Sequence, residues 1–193
     1  MKQIEGVHRA VVTDVLDTEG LGRVQVKVPD AGAEATWAPL ATLMAGDRQG
    51  TWFVPDVGDE VIVAFEAGDA RRPVVIGSLW SGKQRPPETM DAAGANAVRL
   101  IRTRAGLEIR LDDATGSVTV STPDGASIVL ERGNVTIQAS GTVEIDASRI
   151  KLSAGQVEVA AAMARFDAVV QCDTLIANSV VASSYTSGAG NQL

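Results

Sequence analysis

Apolar and polar residues alternate in short runs along most of the chain. Alternation with period two puts successive side chains on opposite faces of a strand. Among the first 85 residues the runs are HRAVVTDVLD, GLGRVQVKVPD, EVIVAFEAGD and RRPVVIGSLW. In the second run Val24, Val26 and Val28 share one face. A fifth piece, WAPLATLM, contains Pro39, which lacks a backbone donor and demotes it to an irregular edge. The polar, glycine-containing EAGDARRP reverses the chain between the last two runs. Five strand-like pieces in about eighty residues predict a small closed barrel of the oligonucleotide/oligosaccharide-binding (OB) type. Gly20, Gly22, Gly58, Gly68 and Gly77 are expected at turns or strand ends.

Residues 86–99, PPETMDAAGANAVR, have no usable period and read as a linker. Beyond them apolar residues recur in pairs at i and i+2. The pairs are Val118/Val120, Ile128/Leu130, Val135/Ile137, Val143/Ile145, Ile150/Leu152 and Val157/Val159. Their starts are 10, 7, 8, 7 and 7 residues apart, with the links ERGN, ASGT, DASR and SAGQ between the later ones. Each unit is one very short strand with two inward side chains and a tight corner. Such a unit buries little unless it stacks on copies of itself.

Two architectures fit this repeat. One is a single-chain β-solenoid with three strands per coil. The other is an intertwined triple-stranded β-helix made by three identical chains. A single-chain left-handed solenoid favours a six-residue period, so seven to eight residues with two inward positions favour the trimer. The solenoid would also need polar end caps, and none is evident. These twelve paired residues are therefore the expected trimer core.

After Val159 the chain reads AAAMARFDAVVQCDTLIANSVVASSYTSGAGNQL. The alanine run allows a short helix, but the immediate return to β-branched residues favours continued β-helix with small residues where it narrows. Thr174 to Leu193 carry no charged side chain. The expected layout is an OB barrel over 1–85, a linker over 86–99 and a needle over 100–193 with its apex at 174–193. The fold class is all-β.

Composition narrows the chemistry. Hydrophobic residues make up 45 % of the 193, but aromatics only 4 %, so the core must be aliphatic. The net charge is -7, and residues 1–85 hold 9 Lys/Arg against 12 Asp/Glu. That balance argues against a nucleic-acid partner, which needs clustered cations. One cysteine, Cys172, excludes an intrachain disulfide, and one histidine, His8, excludes the common two-histidine zinc sites. The opening MKQIEGVHRA lacks a signal-length apolar stretch, and no run of 18 apolar residues exists. A soluble protein made in the cytoplasm, without a signal peptide, is expected.

No catalytic constellation emerges. His8 stands at the start of a strand with no serine motif nearby and reads as a surface or strand-end residue. Cys172 reads as a buried structural thiol. Asp112 and Asp113 precede Gly116 and read as a hairpin turn rather than an acid/base pair or a calcium site. GDRQGTW lacks the ending of a phosphate loop. No cofactor and no metal are expected, and the chain is not expected to be an enzyme. A saccharide- or nucleic-acid-binding module on a β-stalk is the alternative; Trp37, Trp52 and Trp80 could line its groove.

One stretch carries a family pattern: GRVQVKVPD, then Trp37 and Pro39, then FVPDVGDEVIVAFEAGDARRPVVIGSLWSGKQRPPE. Pro55, Gly58 and Glu60 precede an alternating strand, followed by Gly68-Asp69, Arg72-Pro73 and Gly77. This resembles the OB domain of the phage baseplate assembly protein V family, with relatives in type VI secretion and extracellular contractile injection systems. SSYTSGAGN resembles the tail-tip sequence of that family. The resemblance implies a homotrimeric needle at the centre of a contractile tail baseplate. The barrels would sit against a hub ring, and the needle would transmit contraction force to the target cell envelope. Two departures matter. No lysozyme-like domain separates barrel and needle. No histidine follows His8, so the H-x-H metal pair that some relatives carry at the apex is missing. A separate conical tip protein is expected instead, on Ser184, Tyr185, Thr186, Ser187, Gly188, Ala189, Gly190 and Asn191.

Overall fold

The structure is a computed structural model that describes residues 4–29, 34–90 and 93–184. No α-helix occurs among the described residues. The first seven strands are β1 (Val7–Asp14), β2 (Val24–Lys27), β3 (Thr36–Ala38), β4 (Ala45–Gly46), β5 (Gln49–Gly50), β6 (Glu60–Phe65) and β7 (Pro73–Leu79). Five of them form an antiparallel sheet in the order β3-β2-β1-β6-β7. Its two edges then meet. Leu40 bridges Val75 in parallel, the Ala41 N–H donates to the Val75 carbonyl at 2.8 Å, and the Val75 N–H donates to the Pro39 carbonyl at 2.9 Å. Closure removes the free edges, and the result is a five-stranded OB barrel. Pro39 has no N–H to give, but its carbonyl is one of the closing acceptors.

Two irregularities bend the strands around this small barrel, as bulges do. The β1–β2 register shifts between Val12 and Asp14, where the Thr13 hydroxyl donates to the Gln25 side chain at 3.0 Å. The β6–β7 register shifts between Ile62 and Val63, so that Ile62 faces Gly77 and Val63 faces Val75. Gly77 thus lies at a bulge inside β7 rather than at a strand end.

The core is Ala10, Val12, Val24, Val26, Val28, Ala38, Val61, Val63 and Val75, with Leu40, Val54 and Phe65 packed against it. Small β-branched side chains suit a narrow barrel, where χ1 is restricted and little volume is available. Each fully buried valine contributes about 1.5–3 kcal/mol relative to exposure. The tryptophans lie outside this core. Trp37 is half-buried, while Trp52 and Trp80 are exposed.

A second sheet follows: β8 (Val98–Arg102), β9 (Glu108–Asp112), β10 (Ser117–Ser121), β11 (Ser127–Glu131) and β12 (Asn134–Gln138). It is an antiparallel meander in chain order, each strand five residues long. The turns explain it. Thr103 and Thr122 open two similar turns, closed by Gly106 and Gly125 at positive φ. Asp112 accepts the Ala114 N–H at 2.9 Å in the β9–β10 turn, the expected role of that acidic residue. Arg132 and Gly133, at φ 47° and 84°, make a two-residue turn with both centres left-handed, which matches strand twist. The pairs at Val118/Val120, Ile128/Leu130 and Val135/Ile137 therefore lie on hairpins within one chain.

Residues 1–143 form one compact unit and residues 144–193 a second. From residue 139 to 184 no helix or hydrogen-bonded strand occurs, so the alanine run does not become a helix. The backbone instead bends at regular places. Bends fall at Ser140 and Gly141, and then at Ser148, Gly155 and Ala162, seven residues apart from Gly141 on. They continue at Asp167 and Ala168, and then at Asp173, Asn178 and Ser183, five residues apart from Ala168 on. The apolar pairs Val143/Ile145, Ile150/Leu152 and Val157/Val159 sit between successive bends.

Candidate functional site

Cross-strand register decides which side chains of the meander share a face. Ile101 pairs with Ile109, Ile109 with Val120, and Leu111 with Val118. Val118 pairs with Leu130, Val120 with Ile128, Ile128 with Ile137, and Leu130 with Val135. Directly opposed residues point to the same side of a sheet. All nine are thus on one contiguous apolar face, and all are 36–65 % exposed in the single chain. Monomers rarely leave more than about a few hundred Å² of continuous apolar surface open. The sequence reading located six of these nine. It missed Ile101, Ile109 and Leu111, although the alternation in EIRLD at residues 108–112 carries the signal.

The opposite face is mostly polar, although Val98, Leu100 and Val129 share it, and it is ion-paired. Arg102 meets Glu108 at 3.3 Å, and Arg110 meets Glu88 at 2.8 Å. The Glu88 carboxyl is held below its ordinary range by the Arg110 guanidinium. Residue 88 lies in the segment read as a linker, so that segment is tied to the sheet. A further ion pair joins Arg104 of the β8–β9 turn to Asp56 in the barrel loop before β6.

Val143, the last residue of the first unit, is 55 % exposed, and Ile145, Ile150, Leu152, Val157 and Val159 of the second are similarly open. Cys172, expected as a buried thiol, is exposed in the single chain. Ser184 is exposed, while Tyr185, Thr186, Ser187, Gly188, Ala189, Gly190 and Asn191 lie outside the described residues.

The barrel presents one open groove of about 910 Å³, lined by Leu21, Leu43, Met44, Trp52, Phe53 and Ile76 among others. Trp52 lies over Gly22, where a Cβ would come within 3.3 Å of the indole. Trp37 instead receives the Arg23 guanidinium, 5.8 Å from the ring centre. Of the three tryptophans, only Trp52 lines this groove. Arg48 is its only charged lining residue among those described, so the basic track that nucleic acid needs is lacking there. His8 is half-buried, packs edge-on against Phe65 at 5.6 Å, and contacts the Glu5 carbonyl. Among the described residues it has no serine or carboxylate partner. Among the described residues no three His, Cys, Asp or Glu side chains cluster to hold a metal ion.

A closed barrel followed by a meander whose apolar face lies open in the single chain defines an all-β protein. Comparison with known proteins gives the family. Residues 8–80 match the type VI secretion system/phage-baseplate injector OB domain. Residues 98–163 match the phage baseplate V C-terminal trimerisation domain. Together the two matches cover well over half of the chain, and the chain belongs to the phage baseplate V family. The nine apolar residues of the meander all fall inside the trimerisation domain.

Among its relatives, the type VI secretion system spike protein VgrG1a of Pseudomonas aeruginosa strain PAO1 is 28 % identical over 130 residues. That match covers 59 % of this chain and 20 % of the relative. The spike protein of Escherichia phage P2 is 27 % identical over 164 residues, covering 79 % of this chain and 74 % of the relative. The chain thus spans about a fifth of that type VI relative and about three quarters of the phage relative.

Proposed function

We propose that this chain is a structural spike, a homotrimeric needle at the centre of a contractile tail baseplate or injection system. The observation that carries this reading is the open apolar face within a trimerisation domain. Three such faces turned to a common axis would bury what the single chain leaves in water. The OB barrel, 1–85, is the base and docks on a hub ring, with its open apolar groove as the surface available for that contact. The segment 86–99 joins it to the needle, 100–193. Beyond residue 139 the three chains intertwine as a triple-stranded β-helix, each bend turning a corner of the prism.

The role is mechanical rather than enzymatic. Contraction supplies force, and the trimer carries it to the target cell envelope without buckling. Interchain pairing leaves few free edges and makes unfolding non-local, which raises kinetic stability. Ser184 to Asn191 receive a separate conical tip protein. The uncharged segment Thr174–Leu193 favours burial against such a cap, because no ion has to be desolvated. The particle is a virion tail or a related injection machine, assembled inside the bacterial cell.

Light scattering on the purified chain tests the core of this reading. The expected mass is three times 20.1 kDa. A monomeric mass with intact β structure would sink it.

A further inference from the structure

The regular bends of the second unit line up its charged residues. Glu144, Lys151, Glu158 and Arg165 each lie three residues after a bend, at Gly141, Ser148, Gly155 and Ala162 respectively. They alternate in sign. The first three each lie between the two members of an apolar pair, so each points away from the side that the pair faces. Among the described residues, Glu144, Lys151 and Glu158 make no ion pair, and Arg165 meets Asp167, at 2.6 Å.

We propose that these four residues form an ion-pair ladder between chains that sets the register of the trimer. The proposal rests on the trimeric reading above, and the occupant of each neighbouring position is a second copy of this chain. The geometry follows from symmetry. Three identical chains round one axis place three segments at each level, one per face. Each chain moves to the next face at every bend. The segment stacked above any given segment is therefore the next one of a neighbouring chain. All segments run the same way round the axis, so they stack in parallel and like positions align. Adjacent strands lie about 4.8 Å apart. Glu144 of one chain then meets Lys151 of a second, which meets Glu158 of the third, which meets Arg165 of the first. Opposite charges directly across neighbouring strands stabilise the pairing, and like charges oppose it.

Asp146 and Arg149 strengthen the pattern. Asp146 flanks Glu144 in one segment, and Arg149 flanks Lys151 in the next. An acidic level therefore faces a basic level in all three chains. A slip by one segment would set Glu144 beside Glu158. The apolar pairs cannot make that distinction, since Val143/Ile145, Ile150/Leu152 and Val157/Val159 are nearly interchangeable.

Cross-linking reads the neighbours directly. In the full chain with Cys172→Ser, the pair Glu144→Cys and Lys151→Cys is introduced and oxidised mildly. Disulfides need Cα atoms about 4.4–6.8 Å apart, which adjacent strands satisfy. The expected product on a denaturing gel is a covalent three-chain species. A disulfide closed within one chain, or none in a protein that still scatters as a trimer, overturns the ladder and leaves the spike reading standing. A monomeric parent chain overturns both.

A second arm reads register. The full swap carries Glu144→Lys, Lys151→Glu, Glu158→Lys and Arg165→Glu. Co-expressed with the parent under different tags, it should give mixed trimers several-fold below random mixing at low salt. The deficit should shrink as salt screens the pairs. Random mixing at low salt would overturn the proposal.

Discussion

The Asp17 carboxylate and the Arg23 guanidinium close the β1–β2 loop on each other at 2.7 Å. The Asp17 side chain is only 6 % exposed, and it also accepts the backbone N–H groups of Glu19, Leu21 and Arg23. Arg23 in turn stacks over Trp37 and reaches Glu19 at 3.0 Å. One carboxylate thus organises a loop of nine residues between two core strands.

Strong acid should loosen this loop, after the Asp69 turn has already weakened. The Arg23 side chain, with the three backbone donors, holds the Asp17 carboxyl far below its ordinary 3.8. Asp69 is pulled down to about 2 by the side chain and backbone of Arg71. Both values are depressed on folding, so their contribution is complete above the ordinary carboxylate value and is lost as pH falls through the folded values. The urea midpoint of the barrel should drop from about pH 4 downward through pH 2, by that linkage. Asp17→Asn should lower the midpoint at neutral pH and flatten the acid slope. An unchanged slope in the variant would contradict the assignment.

A charge on the apolar face should block assembly. Val120→Asp or Val143→Asp would bring three carboxylates near one axis, each costing several kcal/mol or forcing protonation. Thr119→Asp lies on the other face, opposite Arg110, and should assemble normally. Light scattering of the three variants separates the faces. A heat-resistant Val120→Asp trimer would mean the face points elsewhere.

The small β4–β5 hairpin depends on Gly50. Its φ is +154°, and a Cβ there would lie 2.5 Å from the Met44 carbonyl oxygen. Gly50→Ala should strain the hairpin by about 1–3 kcal/mol and shift the neighbouring Trp52. Tryptophan fluorescence and thermal midpoint together check this, with loss of neither counting against it.

The barrel should fold without the needle. Its nine core residues lie between Ala10 and Val75, so truncation after Arg85 removes none of them. The fragment should melt cooperatively by far-ultraviolet dichroism. Its near-ultraviolet tryptophan signal should be modest, since Trp52 and Trp80 are exposed. A molten fragment would show that the second sheet is needed.

The barrel strands were legible because alternation at Val24, Val26 and Val61, Val63 is a local signal of burial. Its closure was not. The contact of Pro39 and Leu40 with Val75 is made across 35 residues of sequence, and no local pattern announces it. The same holds for the groove, where Leu43, Met44 and Phe53 are brought beside Ile76 by the path of one loop. In the second sheet the apolar pairs were plain, but their arrangement in hairpins depended on turn residues such as Arg132 and Gly133. The seven-residue spacing after Val143 was read directly, because each corner there is made of small residues.

The bend interval shortens from seven residues, up to Ala162, to five, from Ala168 on. In the three-sided prism proposed above that interval would be the length of a side, at about 3.3 Å per residue. Sides in the ratio of five to seven give cross-sections in the ratio of roughly one to two, by the same rise per residue. A force applied along the axis is the same at every level of a rigid rod. The stress on the distal levels is therefore about double that at the wider ones, from the geometry of that rise alone. In the proposed needle, a change in the spacing of corners along the chain would set where the load is concentrated.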